Sequence, residues 1–194
     1  QHGDTFNLGI GQGFMTSTPL QLAVMTARIA NGGYEVQPNL LLAKSTPREE
    51  LVPPSPRDTP TAPSLRLDPK HLALIRDGMN QVVNSSLGTA NALRVRDPAL
   101  AFAGKTGTAQ VKRITERERE MGVTQASLPW HLRHHALFVC YGPVEKPRYA
   151  CAVIIEHGMA GGATAGPIGR DILVETMKRD PSRRTDRFRK MASR

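Results

Sequence analysis

Ala103-Gly104-Lys105-Thr106-Gly107-Thr108-Ala109-Gln110 follows the apolar run Leu100-Ala101-Phe102, and together they read as a β-strand. Strand side chains alternate between faces, which sets Lys105 and Gly107 on one face and Thr106 and Thr108 on the other. Glycine weakens a strand interior, so Gly107 predicts a bulge or a close approach of something to the backbone. One cation, two hydroxyls and a bare strand edge suit an extended, anionic ligand.

The sequence downstream extends this strand into a sheet. Residues 136–142 and 148–156 are rich in Val, Ile, Phe, Tyr and Cys, and Pro143-Val144-Glu145-Lys146-Pro147 joins them at hairpin length. Three consecutive antiparallel strands are predicted. The hairpin sets Cys140 opposite Cys151. Two cysteines make neither a disulfide framework nor a zinc site. They can bridge in an oxidising compartment, but small buried thiols are the commoner use. His157 to Gly166 reads as glycine-rich and flexible. Pro167 then starts a helix to about Lys178, with Ile168, Ile172, Leu173 and Met177 on its apolar face, able to fold back over the sheet.

Between the first two strands, Val111 to His134 is a polar link. Thr115-Glu116-Arg117-Glu118-Arg119-Glu120 alternates charge and predicts a solvated helical turn. His131, His134 and His135 lack a carboxylate or Cys at ligand spacing. They read as loop histidines beside a cleft, not as a metal site.

Upstream, Asn7-Leu8-Gly9-Ile10-Gly11-Gln12-Gly13 is a glycine-rich turn. Phe14 breaks the dinucleotide fingerprint and no P-loop lysine follows, so close backbone packing is the reading. Thr18, Pro19 and Gln21 form the start of a helix with a capping box. Its apolar residues run nearly all round, which predicts burial, and Gly32-Gly33 ends it. Tyr34 to Leu42 reads as extended. Residues 47–63 hold six prolines and read as a surface loop. Asp68-Pro69 opens a second helix to about Asn84, with Leu72, Leu74, Ile75, Met79, Val82 and Val83 as its stripe and Arg76 and Asp77 facing out. Ser85 and Ser86 have no His or Lys partner nearby and read as caps.

At 194 residues and 39% apolar composition the chain is one domain or a large part of one. Gln1-His2-Gly3-Asp4 has neither an initiating Met nor a signal peptide, and does not read as a natural N-terminus. No apolar run is long enough to cross a membrane. The net charge of +9 points first to nucleic acid or an anionic surface. Much of it sits in residues 179–194, a basic tail that reads as disordered and solvated. Phe188 is that tail's only aromatic residue, which argues against nucleic acid as a partner.

The Lys105-Thr106-Gly107-Thr108 element resembles the K-T-G motif of penicillin-binding proteins and serine β-lactamases. The ordered set around it resembles class B penicillin-binding proteins and, among them, the elongation-type penicillin-binding protein 2 subfamily. That set is Gly3-Asp4-Thr5, Gly9-Ile10-Gly11-Gln12-Gly13, Thr18-Pro19-Leu20-Gln21-Leu22-Ala23, Ala30-Asn31-Gly32-Gly33, His135-Ala136-Leu137-Phe138, Glu156-His157-Gly158 and Gly166-Pro167-Ile168-Gly169-Arg170-Asp171-Ile172-Leu173. The resemblance implies an α+β fold, an antiparallel sheet covered by helices, over residues 1–178. It also implies a serine-type peptidoglycan D,D-transpeptidase of cell-wall elongation and cell shape, on the periplasmic face of the inner membrane. Stem peptides and β-lactams would be its ligands, and a membrane glycan polymerase and the rod-shape machinery its partners. No cofactor or metal is implied.

By the same resemblance, Thr106, Gly107 and Thr108 bind the substrate carboxylate. Lys105 supplies charge and assists proton transfer, and the Thr108 backbone N–H forms half of the oxyanion hole. The sequence departs from the family in one respect. No Lys has a Ser three places before it and no Ser-x-Asn occurs, so the S-x-x-K nucleophile and the S-x-N motif are missing. The expectation is therefore a C-terminal part of the transpeptidase domain that is inactive alone. The competing readings are a non-catalytic peptide- or glycan-binding module and a basic nucleic-acid binder.

Overall fold

The structure, a computed structural model, describes residues 2–9, 11, 15–39 and 62–180. Helix α1 spans His2–Gly9 and α2 spans Pro19–Ala30. Helix α3 is Pro69–Asn84, strand β1 is Ala103–Ala109, and the short α4 is Glu116–Glu120. Strands β2, His135–Gly142, and β3, Tyr149–Ile155, form the hairpin, and α5 is Gly166–Lys178.

Local chemistry sets the helix starts. Thr18 Oγ1 accepts from the Gln21 N–H, and the Gln21 side chain returns a bond to the Thr18 N–H at 2.8 Å. Asp68 caps α3 by accepting from the Lys70 N–H, with Pro69 in its first turn. Thr115 and Glu118 make a second reciprocal box on α4. Such a cap is worth about 1 kcal/mol because it satisfies N–H groups that the helix leaves open.

The sheet order is β1-β2-β3, antiparallel throughout. Gly104 pairs with Cys140 and Cys140 with Cys151; Thr106 pairs with Phe138 and Phe138 with Val153. That face meets α5. Phe138, Cys140, Leu173 and Met177 are buried in one cluster with Val83, Leu93 and Phe102. The helix comes close because Gly169 lies over Phe138: a Cβ at Gly169 would stand 2.9 Å from the ring, and one at Gly104 2.7 Å from it. The other face carries Ala103 and Tyr141, packed with Ala30 of α2 and Met79 of α3. Arg148 Nε and Asp180 Oδ2 close the sheet's far corner at 3.0 Å, with both side chains nearly buried.

Five expectations are corrected. Helix α1 runs through Gly9, which is therefore helical and not part of a turn, and Gly11 has φ +76°. Gly13 lies outside the described residues, as do most of the proline-rich loop and the tail beyond Asp180. Helix α2 is buried on one side only: Leu20 and Met25 are exposed along a groove of about 680 Å³, which Val36, Leu65 and Leu67 also line. On α3 the buried stripe is Leu72, Met79 and Val83. Leu74 and Ile75 face outward, and Arg76 turns back to the Tyr141 hydroxyl. On α5 the buried line is Gly166, Gly169, Leu173 and Met177, so Ile168 and Ile172 face out. Residues 161–165 form a π-turn in which Gly161 and Ala165 are buried, so the expected flexible segment is packed.

Candidate functional site

Strand β1 is an outer strand, and its backbone directions follow from three hydrogen bonds. The Ala101 carbonyl accepts from the Val144 N–H, on the β2 side. The Phe102 carbonyl accepts from Asn84 Nδ2 of α3 at 2.9 Å, and the Thr106 carbonyl from Lys105 Nζ at 2.8 Å. Strand backbone groups alternate in direction, so the even-numbered residues of β1, Thr108 included, aim their N–H and C=O away from β2. Among the described residues no strand pairs with that edge.

The face assignment read from alternation holds. Lys105 is exposed, and among the described residues it makes no salt bridge. Its charge is therefore available to an arriving anion. Thr106 is half-buried on the opposite face, with its Oγ1 3.3 Å from Thr89 Oγ1. Thr108 is also half-buried, opposite Ala136.

The close approach that Gly107 foretold comes from within the protein. A Cβ on Gly107 itself would meet only Leu137 Cβ, at 3.3 Å. A Cβ on Gly161 would fall 2.3 Å from the Leu137 carbonyl oxygen, 2.5 Å from that of Gly107 and 3.0 Å from the Gly107 nitrogen. The π-turn thus lies directly on the backbone of β1 and β2. Neighbouring Gly162 faces Thr89 and the Thr106 methyl. Sequence reading missed Thr89, Gly161 and Gly162. They meet β1 across 17 residues or more, and no local pattern encodes that.

A histidine cluster anchors the turn at the end of β1, where Ala109 pairs with His135. His135 Nδ1 accepts from the His157 N–H at 2.9 Å, and His134 Nδ1 accepts from the Val111 N–H at 3.2 Å. His157 Nδ1 faces the Arg133 carbonyl at 3.0 Å and so carries the proton, since a carbonyl only accepts. Trp130 stacks edge-on against His157 at 4.3 Å between centroids. Burial, reinforced by the neighbouring His135, lowers the His134 pKa below the ordinary histidine value. His157 and Met159 both hold positive φ, 56° and 66°, a conformation costly for side chains of their kind. The Met159 N–H donates to the His134 carbonyl and Thr164 Oγ1 to that of Gly158, which fixes the bend. Among the described residues no group of three or more His, Cys, Asp or Glu could hold a metal. The apolar groove along α2 includes no residue of β1.

The model of the penicillin-binding protein transpeptidase domain matches residues 2–174. Peptidoglycan D,D-transpeptidase MrdA of Acinetobacter baumannii is 38% identical over 164 residues, 84% of this chain and 23% of the relative. MrdA of Escherichia coli K12 is 32% identical over 178 residues, 92% of this chain and 27% of the relative. Among solved structures, PBP2 of Pseudomonas aeruginosa in complex with WCK 5153 superposes with a TM-score of 0.64 at 37% identity, covering 90% of this chain and 33% of that one. PBP2 of Helicobacter pylori in complex with MreC gives 0.66 at 28% identity, covering 92% and 28%. The chain thus spans about a quarter of the length of the curated relatives it matches.

Proposed function

This chain belongs to the penicillin-binding protein transpeptidase family, and on that premise we propose that it supplies the substrate-carboxylate side of a serine D,D-transpeptidase. The enzyme would cross-link peptidoglycan stem peptides during cell-wall elongation, on the periplasmic face of the inner membrane. The observation that carries this reading is the edge of β1 with which no strand pairs among the described residues, with Lys105 and two threonines beside it.

A stem peptide would lie along that edge as an added strand, joined by main-chain hydrogen bonds. Its terminal carboxylate would meet the hydroxyls of Thr106 and Thr108, and the Lys105 ammonium would supply the countercharge. The Thr108 N–H aims away from β2, the direction an oxyanion-hole donor needs; one such donor is worth about 3 kcal/mol in the transition state. Lys105 would also assist proton transfer. Gly107 keeps the strand bare where the ligand passes. The nucleophile and its lysine base would come from elements outside residues 1–194, because S-x-x-K and S-x-N are absent here. β-Lactams would occupy the same edge. The MreC complex of the Helicobacter pylori protein supports a rod-shape partner, and a membrane glycan polymerase would be the other.

The test is covalent labelling with a fluorescent β-lactam. Full-length protein should acylate, Lys105→Ala should lose labelling by about two to three orders of magnitude, and residues 1–194 alone should give no adduct. Unchanged labelling of Lys105→Ala would remove the role assigned to the β1 edge. A stable adduct on residues 1–194 would place the nucleophile within this chain.

A further inference from the structure

Cys140 and Cys151 occupy the same rung of the β2–β3 ladder, and both are free thiols. The backbone directions worked out for β1 carry across the sheet. Odd-numbered residues of β2 face β1, so even-numbered ones, Cys140 included, exchange their hydrogen bonds with β3. In such a pair the Cα atoms stand about 5.5 Å apart, inside the window that a disulfide spans. Both side chains share the face under α5. Their exposure differs: Cys140 is fully buried, with its Sγ 3.8 Å from the Gly169 carbonyl, whereas Cys151 is only partly covered.

We propose that Cys140 and Cys151 are a modification site: a dithiol pair that a small or protein disulfide oxidises to a cross-strand disulfide. Cys151 is the attacking thiol and Cys140 the resolving one. In the reduced state Cys151 is the more exposed thiol, and its hydrogen-bonding neighbour Cys140 favours the Cys151 thiolate and lowers its pKa. That thiolate, the reactive form, attacks one sulfur of the oxidant and expels the other as a thiolate. The resulting mixed disulfide on Cys151 is opened by Cys140, whose proton passes to the second leaving sulfur. Two protein thiols become one disulfide, and one oxidant disulfide becomes two thiols. No other co-reactant is needed. The bond would tie β2 to β3 on the row that ends at Gly104, next to Lys105.

The test uses reduced full-length protein, equilibrated with oxidised glutathione and mapped by mass spectrometry under non-reducing conditions. The expected result is a linked peptide pair containing Cys140 and Cys151, two hydrogens lighter than its parts, and a denaturation midpoint several degrees higher that dithiothreitol reverses. Cys140→Ser, or Cys140→Ala if the serine variant fails to fold, should accumulate a glutathione adduct on Cys151. Cys151→Ser should stay unmodified. Two free thiols in the wild type after oxidation, or a stable glutathione adduct in place of the internal bond, overturn the proposal. None of these readouts depends on acylation, so the outcome is independent of the transpeptidase assignment.

Discussion

Replacing Gly161 with alanine places a methyl group where the fold has no room. The added carbon would stand 2.3 Å from the Leu137 oxygen and 2.5 Å from the Gly107 oxygen, and both are backbone atoms of paired strands. Reaching ordinary contact needs a displacement of about 1 Å, and neither strand can give it without disturbing its ladder. Overpacking costs about 1–3 kcal/mol, and an obstacle made of backbone belongs at the upper end. For a domain of this size about 3 kcal/mol lowers the melting temperature by roughly 6–12 °C. Gly78, in the middle of α3 with nothing within 4 Å of its would-be Cβ, is the control. Alanine there should stabilise by up to about 1 kcal/mol, through helix propensity alone. Thermal melts of both variants by circular dichroism, in the full-length protein, give the comparison. β-Lactam labelling of the same samples tells whether β1 moved. A Gly161→Ala melting temperature within about 2 °C of wild type would refute the packing argument. Loss of labelling in both variants would show that the effect is not local to the turn.

Two further predictions concern protons. Burial holds the His134 pKa below its ordinary 6.5, so the unfolded chain binds that proton more readily than the folded one. Stability present above that value should decline as the pH falls through it. His134→Asn, which keeps an acceptor for the Val111 N–H, should flatten the decline in denaturant titrations from pH 8 to 5; identical slopes would rule out His134 as its source. Glu118 bonds first to Lys112 and then to the Thr115 N–H and hydroxyl, which pushes its pKa down to about 2. Its contribution to the α4 cap is complete above the ordinary 4.5 and fades as the pH falls toward 2. A carboxyl-carbon NMR titration checks this, and a midpoint near 4.5 contradicts the capping geometry.

What the residues disclosed, and what they withheld, follows from the range of the interactions. The Thr18–Gln21 and Asp68–Lys70 caps were legible because each closes within three residues. The opposition of Cys140 and Cys151 followed from a hairpin of ordinary length. The faces of β1 were readable because a strand has a period of two. Helix faces were harder. On α5 hydrophobicity favoured Ile168 and Ile172, yet the buried positions include Gly166, against Leu93, and Gly169, against Phe138 of the sheet. A helix that must come within reach of Phe138 gains more from a missing side chain than from a large one. The same cause hid Gly161, whose composition reads as flexible and whose position is among the most constrained in the fold. The Thr89–Thr106 contact spans 17 residues and has no local signature at all.

The bond between Lys105 and the Thr106 carbonyl has a bearing on solubility and choosiness. An unpaired strand edge invites any extended chain, including a second copy, and proteins commonly blunt such edges with lysine. Here the lysine beside the edge occupies one of its acceptors at 2.8 Å. A neutral segment that pairs with β1 must evict that ammonium and put a neutral amide N–H on the Thr106 carbonyl in place of a charge-assisted bond, which is the stronger of the two. A segment ending in a carboxylate gives the displaced ammonium a better partner. On the function proposed above, the same side chain would guard against promiscuous strand addition and would serve as the latch that admits an acidic terminus.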